Sequence, residues 1–286
     1  MTIFKKTSLA ASVLAASLAS SGASALAFDA NVTPDVIFGS GNANGGFTVD
    51  QNNGIEVGLR GKLRHNASGS PENTFNNSTI DNTYSFNAGV APSQAFPTAE
   101  WSFEWSVNVD YLQGTDDQTE AVLADFTYLL ELDQDPTVGT ANFFAFDPIT
   151  PSATVPFYDH AIGTNATGNG GGTKGTASNY TGLLAANNVA QNSWKPHWFI
   201  PGFDPTVGGE YEIRLSVVAA AGDAGGGQVG GGAGEPGQIL AQSSIRILVN
   251  DGQNPDADVP IPGTLALLGL GLLGTAAGRR RQRRQA

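Results

Sequence analysis

Glu100–Tyr111 reads E-W-S-F-E-W-S-V-N-V-D-Y, and its alternation decides the fold. Trp101, Phe103, Trp105, Val107, Val109 and Tyr111 fall on one side, and Ser102, Glu104, Ser106, Asn108 and Asp110 on the other. A helix would scatter these residues around its axis, whereas a strand points successive side chains to opposite faces. The pattern predicts a half-buried antiparallel strand with a solvated polar face. Working outward, Ile55–Leu63 alternates through Val57 and Leu59, Tyr211–Val217 through Ile213 and Leu215, and Ile239–Val249 through Ala241, Ile245 and Ile247. The last two runs flank Gly222–Gly237 and read as a terminal hairpin with a glycine-rich tip. Ala121–Leu132 fits a strand or a short helix, and Phe126, Tyr128, Leu130 and Leu132 favour the strand. Gly163–Gly182, rich in Gly, Asn and Thr, reads as a loop.

Short strands without intervening helices predict an all-β chain, an antiparallel β-sandwich of jelly-roll or immunoglobulin-like type with long Gly-rich loops. Thirty-seven glycines agree with that many turns. Cysteine is absent, so the expected core is unstapled, and thiol catalysis and cysteine-ligated metals are excluded. No repeat stands out at propeller or solenoid periods.

Both ends lie apart from this body, which spans residues 28–250. Residues 1–27 read as a signal peptide: Lys5 and Lys6, an apolar stretch from Leu9 to Ala19, then Ala25-Leu26-Ala27 as an A-x-A cleavage site. A cut two residues earlier, after Ala23-Ser24-Ala25, satisfies the same rule. Residues 251–258 form an acidic linker, D-G-Q-N-P-D-A-D. Beyond it, Val259, Pro260, Ile261, Pro262 and Gly263 precede an apolar run carrying Leu265, Leu267, Leu268, Leu270, Leu272 and Leu273. Arg279, Arg280, Arg281, Arg283 and Arg284 follow. As a helix the run from Thr264 to Gly278 would be roughly 22 Å long against a hydrocarbon core of about 30 Å. That length suits temporary retention, with the arginines on the cytoplasmic side and the body outside.

Between the processed ends lie seven basic residues and 26 acidic ones, a formal charge of −19. Such a surface repels nucleic acid, anionic lipid and acidic polysaccharide unless cations bridge them, so no nucleic-acid partner is expected.

The tail at 259–286 resembles the PEP-CTERM sorting signal of Gram-negative bacteria: a Pro-Glu-Pro motif, a short apolar helix and a basic terminus. Val259, Pro260, Pro262, Gly263, the apolar run and the arginines match, while Ile261 stands where the family has glutamate. The resemblance implies an exosortase partner, transient inner-membrane association, cleavage near 259–263 and delivery to the cell surface or extracellular matrix. Leu132–Ile149, Gln191–Trp194 and Phe203–Val217 also resemble segments of PEP-CTERM bodies without assigned activity.

The search for chemistry inside the body is less productive. Glycosidases place two carboxyls about 5–5.5 or about 6.5–9.5 Å apart. Glu100 and Glu104 on one strand face would lie roughly 13–14 Å apart, too far to act as a pair. His65, His160 and His197 show no triad spacing, and neither H-E-x-x-H nor a G-x-S-x-G elbow occurs in the body. Glu131, Asp133 and Asp135 alternate before Pro136 and would suit calcium, and Asp110, Asp116 and Asp117 form a second acidic corner. Otherwise no cofactor is expected. Trp101 and Trp105 read as core. Trp194 and Trp198, beside Pro196, are the candidates for an exposed glycan platform. The leading expectation is a non-enzymatic surface or matrix protein associated with exopolysaccharide or biofilm. The alternative is a secreted carbohydrate-active enzyme with carboxylates drawn from different strands.

Overall fold

The computed structural model describes residues 25–113, 120–150, 158–220 and 237–250. Its strands are β1 (Ala27–Ala30), β2 (Phe47–Asn52), β3 (Ile55–Leu63), β4 (Thr83–Asn87), β5 (Trp101–Asn108), β6 (Phe126–Asp133), β7 (Phe143–Phe146), β8 (Ala161–Gly163), β9 (Thr173–Lys174), β10 (Val189–Trp194), β11 (Gly209–Ala219) and β12 (Ile239–Asn250). One short helix, α1 (Tyr180–Leu184), and two 3₁₀ turns complete the described elements. Two sheets face each other, one ordered β1-β2-β3-β5-β10-β8-β9 and the other β4-β12-β11-β6-β7. The body is an all-β sandwich. The chain crosses between sheets several times, so β4, which lies between β3 and β5 in sequence, belongs to the opposite sheet.

The apolar alternation is spent where expected. Trp101, Phe103, Trp105 and Val107 of β5 meet Tyr211, Ile213, Leu215, Ile245 and Ile247 of the facing sheet in one continuous core. β11 and β12 pair from Gly209↔Val249 to Val218↔Ile239, the hairpin read from the sequence. Its tip, residues 221–236, lies outside the described residues. Gly61 of β3 faces inward between the sheets: a Cβ there would stand 2.8 Å from Phe86 and 3.0 Å from Ile247. Side chains in such an interior have little room to yield.

Several expectations need correction. Among the described strands, pairing is antiparallel except at one seam, where β4 runs parallel to β12 from Thr83↔Arg246 to Asn87↔Asn250. A parallel pair needs a long crossover, here the chain from β4 through to β12. Ala121–Leu132 begins with a 3₁₀ turn at Leu123–Asp125 and becomes strand only from Phe126. Gly163–Gly182 holds β9 and the start of α1 and is not all loop.

The largest correction concerns β5, whose polar face is not solvated. Ser102, Glu104, Ser106 and Asn108 are as buried as the tryptophans. Residues 31–46 lie across that face and are bonded down: Gln191 Oε1 accepts from the Ile37 amide, Gln191 Nε2 donates to the Asp35 carbonyl, and Asn108 Nδ2 donates to the Thr33 carbonyl. Val32, Val36, Phe47 and Val49 form a second small core beneath. Side-chain amides thus satisfy backbone groups that a covering loop would otherwise leave unpaired.

Candidate functional site

The end of β10 places two tryptophans in opposite environments. Trp194 pairs in register with Phe103 and is buried at 1 % exposure. Its ring packs on Phe199 at 4.8 Å, Trp105 at 5.3 Å and His160 at 5.7 Å between centroids. Trp194 is therefore core and not a glycan platform. Strand alternation continued through the residue before Pro196 turns it inward, a periodicity that the proline obscured in the sequence.

Lys195 stays extended, as a residue before proline must, and Pro196 then opens a 3₁₀ turn, Pro196–Trp198. That turn lifts Trp198 out to 48 % exposure. Beside it is an open cleft of ≈ 350 Å³ lined by Phe96, His197, Trp198, Ile200, Phe203 and Asp204 among others. Phe96 is 62 % exposed, so two large rings stand in water at one cleft. Exposed aromatic surface of this kind is costly in a monomer and marks a contact site more often than scattered apolar residues do.

The cleft offers little acid–base chemistry. Its carboxylate, Asp204, accepts from the Thr206 hydroxyl at 2.7 Å and the Thr206 amide at 2.9 Å. Those hydrogen bonds hold its pKa below the usual carboxylate range. His197 is held below the ordinary imidazole value by burial and then by nearby Lys195. His160 lies elsewhere, wedged against Trp105 and Tyr180, with Nδ1 3.0 Å from Asn192 Nδ2. Burial brings its pKa down to about 4, against the opposing pull of Asp159. His65 donates from Nδ1 to the Gly69 carbonyl at 3.2 Å in a surface turn. The three histidines are not assembled.

The carboxylates singled out from the sequence are engaged elsewhere. Glu104 is fully buried, accepting from Arg60 Nε at 2.7 Å and lying 3.5 Å from Lys62 Nζ. The Arg60 guanidinium is stacked between Phe47 and Phe75, each ring centroid 4.1 Å away, and its Nη1 donates to the Ala43 and Gly45 carbonyls. Glu100 turns to accept from the Asn87 amide at 2.7 Å. Glu104 is thus structural and dry, and Glu100 is spent on β4 of the other sheet. Asp133 accepts from the Asp135 and Asn142 amides, and Asp135 accepts from the Thr137 amide and Thr140 hydroxyl, so both shape the turn between β6 and β7. Glu131 sits opposite Arg214 in register. Among the described residues no three His, Asp or Glu side chains converge as metal ligands. Asp110 accepts from the Ala121 amide, and Asp116 and Asp117 lie outside the described residues.

Sequence reasoning missed the cationic side of this sheet. Arg60, Lys62 and Arg64 recur at every second residue, the same period-two signal that located the strands, and share one face.

Together these features define an all-β sandwich with an open aromatic cleft, at which the described residues assemble no catalytic group. The remaining identity comes from the tail: residues 258–282 match the PEP-CTERM protein-sorting motif. The match runs across Ile261, and the chain is an exported, cell-surface-directed protein that is targeted to exosortase. Val259–Gly263, the leucine run and the arginine cluster all lie outside the described residues. No curated protein and no solved structure matches the chain.

Proposed function

We propose that this protein is a non-enzymatic component of the cell surface or extracellular matrix that holds glycan at the Trp198 cleft. The reading has two stages. Leu265–Leu273 retain the exported chain briefly in the inner membrane with Arg279–Arg284 on the cytoplasmic side, until exosortase cuts near Val259–Gly263. The freed body then associates with exopolysaccharide, the material of a biofilm. The observation that carries the second stage is the pair of exposed rings, Trp198 and Phe96, at one open cleft of a surface-directed domain. Sugar rings present apolar C–H faces that stack on such side chains at small entropic cost. A binding role is favoured over turnover because Asp204, at the cleft, is committed to Thr206, and Glu104 is sealed behind Arg60.

The test is retention of the mature protein on exopolysaccharide from the native matrix. Trp198→Ala should lower retention roughly tenfold while leaving the melting temperature unchanged, and EDTA should have no effect. Release of new reducing ends, abolished by replacing a body carboxylate, would transfer the protein to the carbohydrate-active enzymes.

A further inference from the structure

We infer that the glycan is acidic, and that its carboxylates dock on Arg64 and Lys195 beside the Trp198 cleft. The inference rests on the glycan-binding reading and adds the ligand's charge to it.

Acids outnumber bases heavily in the exported part of this chain, and most of its cations are held by carboxylates. Residues 28–258, body and linker together, carry seven basic residues among 26 acids, so carboxylates are plentiful around the cations. Arg60 and Lys62 share Glu104, Arg214 pairs with Glu212, and Arg246 with Glu210. Arg64 and Lys195 do not follow suit: like the exposed Lys174 on the far edge strand β9, they have no carboxylate within 4.0 Å among the described residues. They lie instead beside each other, near enough that Lys195, already disfavoured by burial, is lowered further by Arg64. Two like charges held together without a counterion are unfavourable in the free protein, and an arriving anion relieves that repulsion.

Register explains the juxtaposition. Lys62 pairs with Ser102 across β3 and β5, and Glu104 with Ser193 across β5 and β10. Arg64 follows Lys62 by one alternation and Lys195 follows Ser193, so all four reach the same face at the same end of the sheet. Arg64 Nη1 donates to the Ser193 hydroxyl at 3.0 Å, which fixes the guanidinium while leaving the rest of its planar fork for a ligand. Arg60 and Lys62 behind them outweigh Glu104, so the local field is positive although residues 28–258 together carry −19.

Nearby acids are turned away. Glu100 faces the Asn87 amide, and Glu72 accepts from Asn66 and Thr74. His197 links the patch to the aromatic cleft, since it lines the cleft and feels Lys195. A polymer with sugar rings on Trp198 would therefore carry its acid groups past two unpaired cations.

The experiment measures binding of the mature protein to polygalacturonate, dextran sulfate and neutral dextran, with phosphatidylglycerol vesicles as a further arm. Preferential binding to polygalacturonate, weakening as salt rises, is expected. Arg64→Gln and Lys195→Gln should each weaken it about tenfold, the scale of one charge-assisted hydrogen bond. Lys174→Gln, which removes an exposed cation from edge strand β9, should leave it unchanged, and all three variants should melt with the wild type. Equal affinity for neutral dextran, unaffected by Arg64→Gln and Lys195→Gln, overturns the inference while glycan binding stands. Binding to no glycan removes both. Preference for dextran sulfate, or for vesicles, overturns the carboxylate assignment in favour of a sulfate or a lipid phosphate.

Discussion

Replacing Glu104 by glutamine tests whether the covered face of the seven-stranded sheet is as dry as its geometry requires. Glu104 has no exposed surface, and its carboxylate lies 2.5 Å from Arg60 Nη2 and 3.5 Å from Lys62 Nζ. Two unit charges about 3 Å apart interact by roughly 5 kcal/mol at an effective dielectric of about 20. Glutamine keeps the volume and one acceptor for Arg60 but removes the charge that two buried cations share. Deleting one partner of a buried pair typically costs about 3–5 kcal/mol. The lower end applies here, about 3 kcal/mol, because Arg60 keeps both phenyl rings and the Ala43 and Gly45 carbonyls. For a domain of this size that is a fall of about 6–12 °C in melting temperature. The pH response gives a second reading. Burial already lowers the Lys62 pKa and Glu104 opposes the shift. Without Glu104 the folded pKa drops further, so the unfolded chain binds more protons and stability rises with pH up to the unfolded lysine value. Glu104→Gln should thus recover part of its loss between neutral pH and about pH 9, by thermal or denaturant unfolding. A loss under about 1 kcal/mol with no pH recovery would mean that water reaches the pair, and the account of this face would fail.

The remaining predictions follow from single positions. His160 is neutral in the fold with its pKa brought down to about 4, so stability should decline as pH falls from about 6.5 towards 4, by about 1.4 kcal/mol per unit; denaturant titrations should lose that slope in His160→Phe. Trp194→Ala should cost about 3–5 kcal/mol and Trp198→Ala less than about 0.5, a contrast that calorimetry reads directly and that equal losses would refute. Gly61→Val should destabilise by about 1–3 kcal/mol through overpacking against Phe86 and Ile247, visible as a lowered denaturant midpoint.

The sandwich was legible because its interior obeys period two: Trp101 to Val107 and the β11–β12 hairpin are where alternation puts them. What alternation cannot report is what covers the other face. Ser102, Glu104 and Ser106 have the composition of a wet surface, and only the long-range bonds from residues 31–46 make it dry. The same limit explains Trp194, whose local sequence resembles a loop while its strand partner Phe103 lies far away in sequence. Parallel pairing of β4 with β12 left no trace either, since register across sheets is not a local property. The tail was the opposite case. Its prolines and leucines, with Arg279–Arg281, form a linear pattern that the matched motif at 258–282 covers, so they were legible from order along the chain.

β1 begins at Ala27, which pairs with Val49, so a signal-peptide cut after Ala25 leaves that strand whole while one after Ala27 trims it. The intact mass of the mature protein recovered from the cell surface or matrix reads this end and the other together. The account predicts a chain starting at Leu26 or Phe28 and ending between Val259 and Thr264, with the leucine run and arginines gone. A full-length tail in protein recovered from the inner membrane would contradict it, and with it the delivery on which the matrix role depends.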